Sequence, residues 1–325
     1  MSDLAGLSGG HVATELDGPS PSGGELDGAL GPLTPSGHLR RRQLVSRLVE
    51  AAQTTAALLA VGLLGVVIYS VVSRAASVLS FDFLTSDLPR PGPVVAGGGI
   101  APAIVGTAVM VAFATVIAAP VGILVALYLT EFAGARAART IRLALDLLNG
   151  MPTILIGLFI FGLLVVGHHQ SGFAGAVALS IVMLPLVARA TQEVLLLVPA
   201  SLREAADALG VSHWRTVRGV VLPAARGGIL TATMLAVARA AGETAPLLFT
   251  TSLFTEHLSV NPFGEVGLPN IPVYIFTASE SADPNGFARA WGAAFVLLAF
   301  ILLANLGVRA VANWSSFSGR SKVGR

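Results

Sequence analysis

The sequence contains no cysteine, which excludes a disulfide, a thiolate metal site and an iron–sulfur cluster. It has one lysine, Lys322, against nineteen arginines. No glycine-rich phosphate loop with its lysine can therefore be assembled, and the chain is expected to hydrolyse no ATP of its own. Charge is scarce: 12% of the 325 residues are charged and 54% are hydrophobic, with a mean hydropathy of +0.77. That is too little polar surface for a soluble globule, so the reading is an integral membrane protein. No nucleophile–base constellation appears. The adjacent His168 and His169 lack a third ligand, so neither an enzyme nor a metal site is expected. The net charge of +2 reads as a topology signal and carries no nucleic-acid inference.

What is present is a series of apolar runs of about 20 residues or more, the length of helical spans and too continuous for the alternating strands of a membrane barrel. The fold class is all-α, with six spans at 53–73, 100–129, 143–166, 173–198, 227–250 and 290–312. Fifteen of the twenty basic residues fall in clusters on alternate loops: Arg40, Arg41, Arg42 and Arg47; Arg136, Arg139 and Arg142; Arg203, Arg215, Arg218 and Arg226; and Arg309, Arg320, Lys322 and Arg325. The positive-inside rule then puts both termini in the cytoplasm. The first apolar run starts after about fifty residues and is expected to stay as a span rather than act as a signal peptide. Residues 1–38 are rich in Gly, Pro and Ser and read as a disordered tail. The expected organisation is 1–50 tail and basic flank, 51–313 transmembrane domain, and 314–325 C-terminal tail. The 251–288 connection, with Glu256, Glu265, Glu280 and Asp283, reads as a solvated acidic outer loop.

One stretch, Pro199 to Pro223, is a polar amphipathic island. Ser201 and Glu204 have capping-box spacing, and Gly210 suits a left-handed helix stop. Leu202, Ala206 and Leu209 share a helical face, and Ser212 is a plausible cap for a second short helix. The order Glu204-Ala205-Ala206, Gly210, Val220, Leu222, Pro223 resembles the EAA loop of bacterial ABC importer permeases, with valine where the family often has isoleucine. The resemblance implies a helix-turn-helix that docks into a cytoplasmic ATPase.

Ionisable residues inside the spans form the second signal. Arg239 and Glu243 are four apart and can pair on one helix face. Span four carries Arg189, with Gln192 and Glu193 beyond it. Each charge at mid-membrane costs roughly 2.5–3.5 kcal/mol and needs a partner or a wet cavity. A guanidinium offers planar, bidentate donors to a tetrahedral oxyanion. A buried pair that merely pins helices together remains an open alternative. In span three, Asn149-Gly150-Met151-Pro152 predicts an irregular first segment buried against protein.

Taken together, Gly150-Met-Pro-Thr-Ile-Leu-Ile-Gly-Leu-Phe159, Ser180-Ile-Val-Met-Leu-Pro-Leu-Val-Ala-Arg189, the 199–223 loop and Ala238-Arg-Ala-Ala-Gly-Glu-Thr-Ala-Pro-Leu-Leu-Phe-Thr250 resemble the PstA-type permeases of bacterial phosphate ABC importers. The resemblance implies the type I importer permease fold, with Arg239, Glu243, Arg189 and Thr244 on the substrate path. It also implies a PstC-type permease partner, two copies of a PstB-type ATPase holding the ATP and Mg, and a PstS-type extracytoplasmic phosphate-binding protein. On that reading the chain itself binds no cofactor and meets membrane lipid but no nucleic acid. The residues alone leave open a sulfate or molybdate permease, an ion-coupled secondary carrier, and a membrane scaffold or sensor.

Overall fold

The computed structural model describes residues 37–89, 97–252, 258–264, 267–281 and 283–320. The expectations for residues 1–36, Glu256, Glu265 and Lys322 lie outside them. Among the described residues the secondary structure is entirely helical. The chain divides into two compact units, Met1–Gly65 and Val66–Arg325. Helix α1, Gly37–Ala75, crosses the division. Within the first unit it leaves Leu48, Leu58 and Leu63 exposed. A helix apolar on every side belongs in lipid.

The second unit opens with α2, Phe81–Thr85, capped by Ser80, whose hydroxyl accepts from Phe83 N–H. Helix α3, Ala101–Leu127, starts with Pro102 in its first turn and continues through a π-helical turn, Tyr128–Phe132. Helix α4 is Ala135–Gly150; α5 is Thr153–Ile160, extended by a π turn Phe161–Val165; α6 is Gly172–Leu196. Among the described residues five helical stretches are long and apolar enough to cross a membrane, and α4 with α5, bent by 95° at a short break, brings the number to six if the pair counts as one span. The bend has a local cause. Met151 precedes proline and is pushed into an extended conformation (φ −73°, ψ 134°), and Pro152 then starts the next helix. This corrects the expected irregular opening of span three: Asp146, Asn149 and Gly150 belong to a regular helix, and the break is confined to Met151-Pro152.

The core is built on small residues. Gly106, Ala114, Ala118, Gly122 and Ala126, all buried and four or eight apart, form a stripe along α3. Such stripes let membrane helices approach closely, where dispersion rather than water exclusion holds them. At Gly122 an added Cβ would lie 2.8 Å from a Val187 methyl of α6. Met110, Leu179, Met183 and Val187 continue that packing toward Ala236 and Ala240.

Helix α7 is Ala200–Ala208. Helix α8, His213–Thr216, passes through a π turn at Val217–Val221 into α9, Leu222–Ala241, as one 29-residue stretch. Leu222 N–H bonds five residues back to Val217 O, immediately before Pro223, which has no N–H to give. The helix that carries span five therefore starts at His213, fourteen residues ahead of the expected 227, and the second loop helix is its first turns. It also ends early. The helix stops at Ala241, residues 242–246 turn, and α10, Leu247–Thr250, follows.

Helix α11, Ile271–Ser279, lies within the expected outer loop, and α12 is Pro284–Arg320. Asp283 is not a solvated loop acid: it is buried and paired with buried Arg289, which sets the turn between α11 and α12. Asn270 caps α11, accepting from Val273 N–H at 2.9 Å, and donates to the Thr251 hydroxyl at 2.9 Å. Ile271 N–H reaches across to the Thr107 hydroxyl of α3 at 2.9 Å.

Candidate functional site

Arg239 lies in the last turn of α9, and the pair it makes is not a simple i,i+4 helical contact. Gly242 N–H bonds to Arg239 O and Glu243 N–H to Ala240 O, so Glu243 sits in the closing turn. Its Oε1 lies 3.5 Å from Arg239 Nε. The Arg239 side chain is 56% exposed and that of Glu243 15%, so the guanidinium is paired on one side and open on the other. Thr244 is half-buried, and its carbonyl accepts from Leu247 and Leu248 N–H at 3.1 Å each, starting α10. The turn is held from behind by α5, where a Cβ on Gly157 would stand 2.6 Å from Pro246 Cα. Two of the motifs singled out in the sequence thus meet backbone to backbone.

Arg189 forms a separate pair. Its Nη2 donates to Asp146 Oδ1 of α4 and, at 3.0 Å, to Arg142 O. No local spacing joins these residues, which are 43 positions apart. Among the described residues the ion pairs link Arg189 with Asp146 and Arg239 with Glu243, and none bridges the two.

In the 199–223 loop the glycine reading holds and the capping box does not. Gly210 has φ +69°. Its N–H bonds to Asp207 O at 2.9 Å and Val211 N–H to Ala206 O at 3.1 Å, the paired bonds of a Schellman stop. Pro199 takes the N-cap position with no side-chain bond, which leaves Ser201 two residues too far inside the helix to cap it. Ser212 does cap α8 by position, again without a side-chain bond. The face shared by Leu202, Ala206 and Leu209 is only partly buried. Ala206 is buried, but Leu202 and Leu209 are 42% and 82% exposed, together with Trp214 at 57%. The inward position goes to Arg203, whose guanidinium bonds to Glu131 Oε1 at 2.8 Å, Val198 O at 2.8 Å and Leu195 O at 3.1 Å. Glu204, Ala205, Gly210 and Pro223 are exposed and Leu222 is half-buried.

Glu131, Asp146 and Arg203 were missed as partners by sequence reasoning. The available signal was an acid in each of two otherwise basic or apolar helix ends, each near an arginine-rich segment.

A set of apolar helices long enough to span a bilayer, with charged pairs on them and one polar hairpin between two of them, marks a multi-pass membrane protein. The family model for the binding-protein-dependent transport system inner membrane component matches residues 118–316, and the chain belongs to that family. The phosphate transport system permease protein PstA of Haemophilus influenzae is 39% identical over 245 residues, covering 75% of this chain and 85% of that protein. PstA of Xylella fastidiosa is 37% identical over 282 residues, covering 86% and 96%. The fold is that of type I importer permeases. A solved bacterial alginate ABC transporter aligns with a TM-score of 0.55 at 13% identity, over 84% of this chain and 96% of that one. The MetNI methionine ABC transporter aligns at 0.52 and 22% identity, over 66% and 93%.

Proposed function

We propose that this chain is a permease subunit of an ATP-driven importer that moves inorganic phosphate into the cytoplasm by alternating access. The observation that carries the reading is Arg239: a permanent cation at the end of a membrane helix, more than half exposed, beside a turn that supplies its counter-charge, in a chain 39% identical to named phosphate permeases. A guanidinium presents paired donors to a phosphate oxygen edge. Glu243 offsets part of that attraction and keeps the anion weakly enough held to leave. Thr244 borders the same turn. Arg189, tethered by Asp146, adds a second positive element on the path.

The chain works with a second, PstC-type permease, two PstB-type ATPase subunits that bind ATP and Mg, and a PstS-type binding protein outside. The basic clusters set both termini and the 199–223 loop in the cytoplasm. Leu202, Leu209 and Trp214, exposed on that loop, are apolar anchors suited to a pocket on the ATPase. ATP-driven closure pushes α7 and α8, and α9 carries the motion to Arg239 without an intervening break.

Labelled-phosphate uptake by cells expressing this permease with its partner subunits tests the reading. Uptake that is vanadate-sensitive and resists excess sulfate and molybdate supports it. Competition by either anion assigns a different oxyanion, and vanadate-insensitive uptake removes the ATP-driven mechanism.

A further inference from the structure

A cluster outside both the substrate turn and the exposed loop surface joins three elements at one carboxylate. Glu131 ends the α3 span, and its side chain is 3% exposed. Arg203 of α7 donates to its Oε1 at 2.8 Å while the same guanidinium holds Leu195 O and Val198 O at the end of α6. His213, the first residue of α8, places Nε2 3.0 Å from Glu131 O and 3.8 Å from Oε2. Its ring packs edge-on against Phe132 at 5.1 Å between centroids. Both loop helices are thus tied to the ends of two spans through Glu131.

We propose that Glu131 is a positioning residue that makes the 199–223 loop move as one body with α3 and α6. The inference rests on the ATP-coupled reading above, but it concerns transmission and needs no particular solute. A buried carboxylate held by a charge-assisted bond is stiff, because opening it leaves an ion unpaired in a poorly solvated place. Helix α9 follows α8 directly, so without the clamp the loop can shift under ATPase closure while α3 and α6 stay behind. The Glu131 carboxylate is 3% exposed whereas Leu202, Leu209 and Trp214 are exposed, so docking of the ATPase and transmission from it can be tested separately.

The test uses the assembled complex in proteoliposomes with its ATPase and binding-protein partners, comparing Glu131→Gln, Arg203→Gln and the double variant. At Glu131 glutamine preserves side-chain size while removing the charge; at Arg203 it removes the charge and the guanidinium fork. In Glu131→Gln the ATPase subunits stay bound and basal hydrolysis persists, while stimulation by loaded binding protein falls about tenfold, the scale of a typical coupling between sites. The double variant is no worse than the poorer single variant, because each removes the same contact. Unchanged stimulation in Glu131→Gln, or losses that multiply in the double variant, would overturn the proposal. If Glu131→Gln does not assemble, Arg203→Gln carries the same test. A wild-type complex stimulated by its binding protein that imports no phosphate would remove the phosphate reading and leave this comparison intact.

Discussion

Replacing Gly157 by alanine perturbs the substrate turn without altering any charged group. The added Cβ would stand 2.6 Å from Pro246 Cα, 2.9 Å from its O and 3.1 Å from its C. Ordinary contact begins near 3.4 Å, so the backbone at 246 must retreat by about 0.8 Å. Both partners are backbone, and α5 cannot give way easily because Ile156 and Ile160 beside Gly157 are buried. Overpacking of this kind costs about 1–3 kcal/mol. Most of the displacement falls on the 242–246 turn, which carries Glu243 and Thr244. The expected result is a chain that still inserts and binds its partners but transports at a small fraction of the wild-type rate. Gly157→Val is worse, since its methyls enlarge the clash. The assay is initial-rate uptake normalised to membrane-inserted permease, with thermal unfolding in detergent alongside. Wild-type uptake by Gly157→Ala with unchanged unfolding would refute the reasoning, since it would mean the two segments are free to separate.

Two other substitutions test distinct elements. Gly210→Leu meets open space, so its cost is the left-handed backbone alone, about 1–2 kcal/mol; insertion stays normal and phosphate-stimulated ATP hydrolysis is lost, as read in the reconstituted complex. Thr107→Val keeps the shape of a buried side chain but strands Ile271 N–H; a loss of about 1–3 kcal/mol is expected, visible as a lower Tm, and an unchanged Tm would mean that the amide finds another partner.

The parts of this fold legible from sequence are those with a local cause. Long apolar runs marked the spans, Met151-Pro152 marked the break, and Gly210 marked the helix stop because few other residues take its backbone angles. The Ser201–Glu204 capping box failed because the helix, with Pro199 at its N-cap, starts two residues earlier than that pattern requires. The helix of span five differs from the expected 227–250 at both ends for related reasons. His213 to Arg226 is too polar to read as part of an apolar run, although the π turn carries the helix smoothly past Pro223, and the Gly242–Pro246 turn looked like more apolar helix. The pairs Arg189–Asp146 and Arg203–Glu131 leave no periodic trace, being 43 and 72 positions apart. They exist because helix packing brings distant helix ends together, which composition and spacing do not encode. Arg239 and Glu243 were recognisable as partners from their separation, but the turn that shapes their contact was not.

The most direct test of the central claim is phosphate uptake by reconstituted complexes containing Arg239→Ala, with Arg239→Lys beside it. Losing a charge-assisted contact to the anion is worth about 1.5–3 kcal/mol, or roughly ten- to a hundredfold. The account predicts a loss of that size in the alanine variant, partial recovery with lysine, which keeps the charge but not the planar fork, and normal assembly in both. Wild-type uptake by Arg239→Ala would contradict it and reduce the Arg239–Glu243 pair to a structural tie at the end of α9.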